Sequence, residues 1–565
     1  MSETGIRLSL LNCLNVLLII TAIFFSVDPA GAEQIRPWGK PDIDLINVFV
    51  PALNTKEFIR RAEKNRATIT GSWLFQAGSY ASGLDANYST DTGLRMTRVI
   101  EDLARWRGLR ENVGAALFMR GVIRFEYRYD NRGAERLFVR ALEIFDRDGG
   151  TLWRARCRYR LGDVSFRNGR YRAADGHYRA ALLLYRTAGS VRGEANCAKR
   201  FGDIAARARE YGKAASLYRD ALLLYRKIPA PVGEANCLKR LGDISFGESQ
   251  PDAARDHYAA ALEIYRRNGS RLGEANCLRM LGDMAYAGRD MKTAGERYSG
   301  ALRRYREIKS KPDEAYCLMM LGLLSSAEPV KAARLLENAR AIFHECGRPL
   351  DEARCARDLA AIAYNGRDNR HGDLLAADSL ARYKKSTAAR KAADGIFGLA
   401  ELSREHSRRE FSDRLYREAG AFYRKSRSRI GEANCLYRRG EIFFAEKRFS
   451  AARKCSSAAR SLYVKEGSVL GDANCRHLTA DTYLAAAEFG PAEKGYEKAR
   501  VLYLRAGYDL GTANCVFSLG DIALFRRDIS AARDRYRDAR SWYEKAGSGL
   551  GVKNCDLRLS GLKGE

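Results

Sequence analysis

The sequence predicts an all-α solenoid, a stack of antiparallel helical hairpins. Three observations predict it. The first is a recurring cysteine. Cys157, Cys197, Cys237, Cys277 and Cys317 stand 40 residues apart, a step of 38 reaches Cys355, and steps of 40 resume through Gly395, Cys435, Cys475, Cys515 and Cys555. Self-similarity at a fixed period of this size marks a stacked repeat architecture. The second is the pattern inside one period. Cys237, Leu238, Leu241, Gly242 and Ile244 share one apolar helix face, with Asn236, Lys239 and Asp243 opposite; Ala254, Tyr258, Ala261, Leu262 and Tyr265 share another. The third is the punctuation. Residues 247–251, from Gly247 to Pro251, hold the breakers of a helix–helix turn, and Gly269 stands where a C′ glycine ends the second helix.

The chain then reads in order. Met1–Ala32 has the plan of a signal peptide: Arg7 near the start, an apolar run from Leu14 to Phe25, and Ala30-Gly31-Ala32 as a cleavage site that leaves Glu33 first. This predicts an exported protein, periplasmic or secreted. The alternative is a single-span membrane anchor with a cytosolic body, because Leu8 to Val27 is about long enough to cross a bilayer. Residues 33–112 do not show the repeat and read as a degenerate N-terminal cap. It has an extended lead-in carrying Pro37, Pro41 and Pro51 and helices near 55–67 and 92–107. A first block of repeats covers 113–350. Residues 351–390 are a degenerate repeat and a candidate flexure, since Gly372 and Ala376 replace the packing alanine and tyrosine. A second block covers 391–550, and 551–565 is a lone capping helix. The 38-residue step is expected to come out of the inter-helix turn around 327–329.

Leu241, Gly242, Ala254, Tyr258 and Ala261 have the types and spacing of the tetratricopeptide repeat, and residues 113 to 565 resemble that family. The units are longer than its common 34-residue form and are similar to the extended repeats of Pins/LGN-type adaptors and kinesin light chains. The resemblance implies a right-handed α-solenoid (superhelix), with close-packed small residues, an aromatic filling the gap between hairpins, and binding of other macromolecules without catalysis.

A polar stripe runs along the first helices. Asparagine precedes the cysteine at Asn196, Asn236, Asn276, Asn434, Asn474, Asn514 and Asn554. Three residues on stand Lys199, Lys239 and Arg279 in the first block and Phe397, Tyr437, His477 and Phe517 in the second. An acid follows seven on, as at Asp163, Asp203, Asp243, Asp283, Glu401, Glu441, Asp481 and Asp521. Positions i, i+3 and i+7 share a helix face. The resemblance implies that this face lines the concave groove, so that amides and charges meet a bound segment. An asparagine amide both donates to and accepts from a peptide backbone. Two other readings of the stripe stand beside it: a hydrogen-bond ladder internal to the stack, and identity left by recent duplication. The groove reading makes the first block basic, suited to acidic segments, and the second aromatic, suited to apolar ones.

The composition is strongly basic, 98 Lys+Arg against 69 Asp+Glu, a net +29, or +30 without residues 1–32. Such a field draws anionic partners. The expected partners are other proteins, through acidic or extended segments, with nucleic acid or acidic polysaccharide as the alternative and self-association through the open ends of the stack. Of 13 cysteines, ten occupy the repeated apolar position. Packed helices lie about 8–10 Å apart and a disulfide needs Cα atoms within about 7 Å. These are therefore read as buried, unpaired thiols. The six histidines are scattered, and no phosphate loop, nucleophile elbow or zinc pattern occurs. No enzyme, cofactor, metal or small-molecule substrate is expected.

Overall fold

The computed structural model describes residues 108–148 and 150–562 continuously, and single positions between 94 and 105. The signal-like segment and most of the expected cap lie outside the described residues. The chain divides into two compact units, residues 1–304 and 305–565. The described residues are helices and short turns, with no strand among them.

Numbered in chain order, hairpin 1 pairs Arg110–Glu126 with Asn131–Asp148, and hairpin 2 pairs Thr151–Arg167 with Tyr171–Thr187. Hairpins 3 to 5 start at Val191, Pro231 and Arg271. Hairpins 6 to 11 start at Lys311, Pro349, Ala389, Arg429, Val469 and Asp509, and a single helix, Gly549–Gly561, follows. Each unit is an all-α solenoid of stacked antiparallel hairpins. Hairpin 4 shows why the sequence folds this way. Pro231 and Pro251 each open a helix, where a missing N–H costs nothing, and Gly269 ends the second at φ +64°.

Two glycine–tyrosine contacts set the packing of the regular repeats. A Cβ on Gly242 would stand 2.8 Å from Cε1 of Tyr258, so this glycine lets the ring of its own hairpin's second helix lie flush. A Cβ on Gly273 would stand 2.2 Å from Cδ1 of Tyr265, the last ring of the preceding hairpin. The second contact recurs at Gly193, Gly233, Gly431, Gly471 and Gly551, against Tyr185, Tyr225, Tyr423, Tyr463 and Tyr543. Tyr265 and its copies are thus rings that join one hairpin to the next, a role the sequence pattern assigns to Tyr258. The serines before these glycines cap the helices: Ser190, Ser428, Ser468 and Ser548 accept from the backbone N–H of Gly193, Gly431, Gly471 and Gly551.

Two irregular repeats differ from expectation in detail. The 38-residue step comes from the first helix of hairpin 6, which stops at Leu324 after 14 residues; the following turn is not shortened. In hairpin 7 the missing tyrosine is supplied from the other helix. Tyr364 lies against Gly372, and its hydroxyl donates to Asp373 at 2.9 Å. Tyr383 then seats on Gly395, which explains a glycine at the cysteine position: a Cβ there would stand 2.3 Å from the ring.

All described cysteines are free, and the ten at the repeated position are buried. Burial pushes the thiols of Cys157, Cys197, Cys237, Cys277, Cys435 and Cys475 up to about 12. No helix among the described residues is long and apolar enough to cross a membrane.

Candidate binding stripe

The stripe positions are half-buried on the first helices, apart from buried Asp163 and Asp203 and exposed Asn554. In the first unit the hydroxyl of Tyr225 donates to Oδ1 of Asn196 at 2.5 Å, and that of Tyr265 to Oδ1 of Asn236 at 2.8 Å. In the second unit Tyr463, Tyr503 and Tyr543 do the same to Asn434, Asn474 and Asn514 at 2.6, 2.7 and 2.8 Å. Each bond closes one hairpin, and the tyrosine is the ring that also covers the next hairpin's glycine. The amide carbonyl is therefore held in place. The Nδ2 groups of these five asparagines donate to nothing among the described residues. Hairpin 8 has Asp394 at this position, and Tyr423 donates to it at 2.8 Å. The tyrosine needs only an acceptor, which Asp supplies as well as Asn.

The acids of the stripe are also engaged. Tyr178, Tyr218, Tyr258 and Tyr298 donate to Asp163, Asp203, Asp243 and Asp283 at 2.7–2.9 Å. Tyr416, Tyr496 and Tyr536 donate to Glu401, Asp481 and Asp521. Arginines of the following repeat reach back: Arg200 to Asp163 at 3.0 Å, Arg240 to Asp203 at 3.2 Å, Arg438 to Glu401 at 3.0 Å and Arg558 to Asp521 at 3.2 Å. These pairs bridge neighbouring hairpins. Burial opposes ionisation of Asp203, yet Arg240, Arg200 and Lys199 hold its carboxyl below the usual range.

The cations differ from one repeat to the next. Lys239 pairs with Asp243 at 3.1 Å and Arg279 with Asp283 at 3.0 Å. Lys199 makes no ion pair among the described residues. The reason lies in the next repeat. Asp203 already receives Tyr218, Arg200 and Arg240, whereas Met280 stands where an arginine would compete for Asp243. Burial, then repulsion from Arg200, pushes the Lys199 ammonium down to about 8.

In hairpins 8, 10 and 11 the third position is a ring, Phe397, His477 or Phe517, wedged between two tyrosines of its own hairpin. Phe517 lies 5.3 Å from Tyr536 and 6.4 Å from Tyr543, and His477 lies 5.3 Å from Tyr496 and 6.3 Å from Tyr503. Tyr437 is half-buried, with its phenol pushed up by burial and then by Glu441. His477 shares Nδ1 with Asp481 at 3.1 Å, while its buried Nε2 has no partner.

The stripe has a fourth row that the sequence pattern does not single out, four residues before the asparagine. It is apolar and exposed at Val232, Leu272, Ile430, Leu470 and Leu550. In hairpin 3 it is Arg192, whose Nε and Nη2 are buried without a hydrogen-bond partner. The i, i+4 rule that links asparagine to its neighbours on the face also reaches this row. Apolar residues at a helix start simply count with the core. Among the described residues, no group of three or more His, Cys, Asp and Glu is placed to hold a metal ion.

Hairpins that pack through small residues, with alanine and tyrosine at these intervals, form a helical-repeat solenoid of the kind that the resemblance to tetratricopeptide repeats implies. No protein-family model matches the sequence, and no curated protein does. Among solved structures, the chain is similar to aspartyl phosphate phosphatase F from Bacillus subtilis, with 11% identity over 63% of this chain and 97% of that one and a TM-score of 0.41. It is also similar to a signal transduction ATPase with a tetratricopeptide repeat sensor from Pyrococcus horikoshii, with 14% identity over 61% of this chain and 51% of that one and a TM-score of 0.43. A third is the apo form of the quorum sensor NprR from B. thuringiensis, with 13% identity, 60% and 97% coverage and a TM-score of 0.42.

Proposed function

We propose that the chain is a non-catalytic scaffold that binds extended segments of other proteins along the first-helix stripe of each unit. The observation that carries this is the split use of the asparagines. The carbonyl end is spent on a tyrosine, and Asp394 performs that task equally well. What Asn adds over Asp is an NH2 group, held in a fixed direction and left without a partner. A row of such groups suits the carbonyls of an extended backbone. Lys199, unpaired, and Lys239 and Arg279 beside it give the first unit its preference for acidic segments. Ile430 and Leu470, with Tyr437 and Phe517, give the second a preference for apolar or aromatic side chains.

Exchange of Asn434, Asn474 and Asn514 for Asp tests this reading. The tyrosine bonds survive, so the thermal midpoint should stay within a few degrees. Affinity for a bound segment, selected from a peptide array and measured by calorimetry, should fall by about 1 kcal/mol for each lost donor. Unchanged affinity in a folded triple variant contradicts the proposal.

A further inference from the structure

The first unit carries a second surface, apart from the stripe. It lies at the end where the two helices of each hairpin join. The turns of hairpins 1 to 3 place Tyr129, Gly169 and Arg209 at φ +53°, +75° and +61°. Glycine takes this left-handed conformation without strain, and a long side chain does not. At the opposite ends, in the turns between hairpins, the same conformation falls mostly to glycine: Gly189, Gly269, Gly347, Gly467, Gly507 and Gly547, against Lys309 and Arg427. Within hairpins it falls to Gly169 once, to a cation at Arg209, Arg289, Arg367, Lys447 and Arg527, and to Tyr129, Ser249, Ser407 and Ala487 at the rest. The backbone asks for the same residue at both ends. Only one end departs from it regularly, and a cation takes half of its places.

In the first three hairpins these cations gather with aromatic rings. Residues 127–133, 167–172 and 207–213 hold eight Lys and Arg against Asp130 and Glu210, and the next turn, 246–252, has only acids. Arg132, Arg172, Arg207 and Arg209 are exposed and make no ion pair among the described residues. All five exposed aromatic residues among those described in the first unit stand at this end: Tyr127, Tyr129, Tyr171, Phe246 and Tyr286.

We propose that this edge docks on an anionic lipid surface. Arginines near such a surface bind its phosphates, and tyrosine rings settle at the headgroup level. The rings are poorly placed to stack on bases, because Arg167 lies over Tyr129 at 5.7 Å and Tyr171 meets Phe166 edge-on at 5.4 Å. A signal peptide or anchor at Leu14 to Phe25, as expected from the sequence, would also bring the chain to a bilayer.

The test is flotation of the full-length protein with vesicles of phosphatidylcholine alone or mixed with phosphatidylglycerol. The apolar N-terminal run partitions into both, so the readout is the anionic-to-neutral ratio. A ratio of about tenfold or more is expected at low ionic strength, lost as salt screens the charges. The R172E/R207E/R209E variant should bring the ratio to about one. Arg209→Gly should lower it about fivefold, the worth of one cation near the surface, while raising the thermal midpoint because the strained site is relieved. A ratio of one for the wild type overturns the proposal. So does an unchanged ratio in a triple variant with native circular dichroism, or full displacement from anionic vesicles by an oligothymidylate strand.

Discussion

Gly273→Ala should destabilise the chain by about 3 kcal/mol, near the upper end of overpacking costs. In an open helix the same exchange is favourable by about 1 kcal/mol. The reversal comes from the ring beside it. The added methyl would stand 2.2, 2.4 and 2.5 Å from three ring atoms of Tyr265. The ring cannot swing away cheaply, because it is buried and its hydroxyl is tied to Asn236 at 2.8 Å. Gly176, inside the helix Tyr171–Thr187, provides the opposite case: a methyl added there would meet nothing within 4 Å. Gly176→Ala should stabilise by about 0.5–1 kcal/mol. Urea midpoints of the two variants, measured side by side, should move in opposite directions. A neutral Gly273→Ala would mean that Tyr265 is not the ring joining hairpins 4 and 5.

Reversing Lys199, Lys239 and Arg279 together to Glu should weaken binding of an acidic segment by more than about a hundredfold, since each charge-assisted hydrogen bond is worth about 1.5–3 kcal/mol. The three contributions are unequal. Lys239 and Arg279 already face Asp243 and Asp283, and part of their charge is compensated inside the repeat. Lys199 makes no such ion pair, because Asp203 is taken by Arg200 and Arg240, so Lys199→Glu alone should account for the largest share. The ammonium of Lys199 also makes the affinity depend on pH. Burial and Arg200 hold it near 8. Binding of an acidic segment should therefore weaken from pH 7 to 9, as the free protein loses this charge. Lys199→Arg should flatten that profile, because guanidinium stays protonated. Titration calorimetry at several pH values gives both answers; a flat profile for the wild type removes Lys199 from the site.

Much of this was legible in the sequence because it is local. The 40-residue period, the two apolar faces and the breakers each lie within one repeat, and they led to hairpins, to buried thiols and to Gly242 as a packing glycine. What could not be read is what depends on partners far along the chain. Tyr258 and Tyr265 lie on the same helix face, and nothing in their spacing says that the second covers a glycine of the next hairpin. The carbonyl of Asn236 is taken by a hydroxyl 29 residues downstream. Lys199 and Lys239 look identical in sequence, yet one is paired and the other is not, because Arg240 competes in one repeat and Met280 is silent in the next. The exposed row at Val232 and Leu272 was hidden for another reason: an apolar residue at a helix start is ordinarily core.

The most direct test of the assigned register is the reactivity of the cysteines in the native protein. An ordinary thiol, with a pKa near 8.5, is labelled readily at pH 8. The ten at the repeated position are buried between hairpins, six of them held up to about 12. Cys346 and Cys455 are only half-buried. Timed alkylation followed by peptide mass spectrometry should find Cys346 and Cys455 modified first, and the repeated ten modified only after denaturation. Prompt labelling of Cys237 and its copies in the folded chain, or their recovery as disulfides, would contradict the packing described here and the stripe built on it.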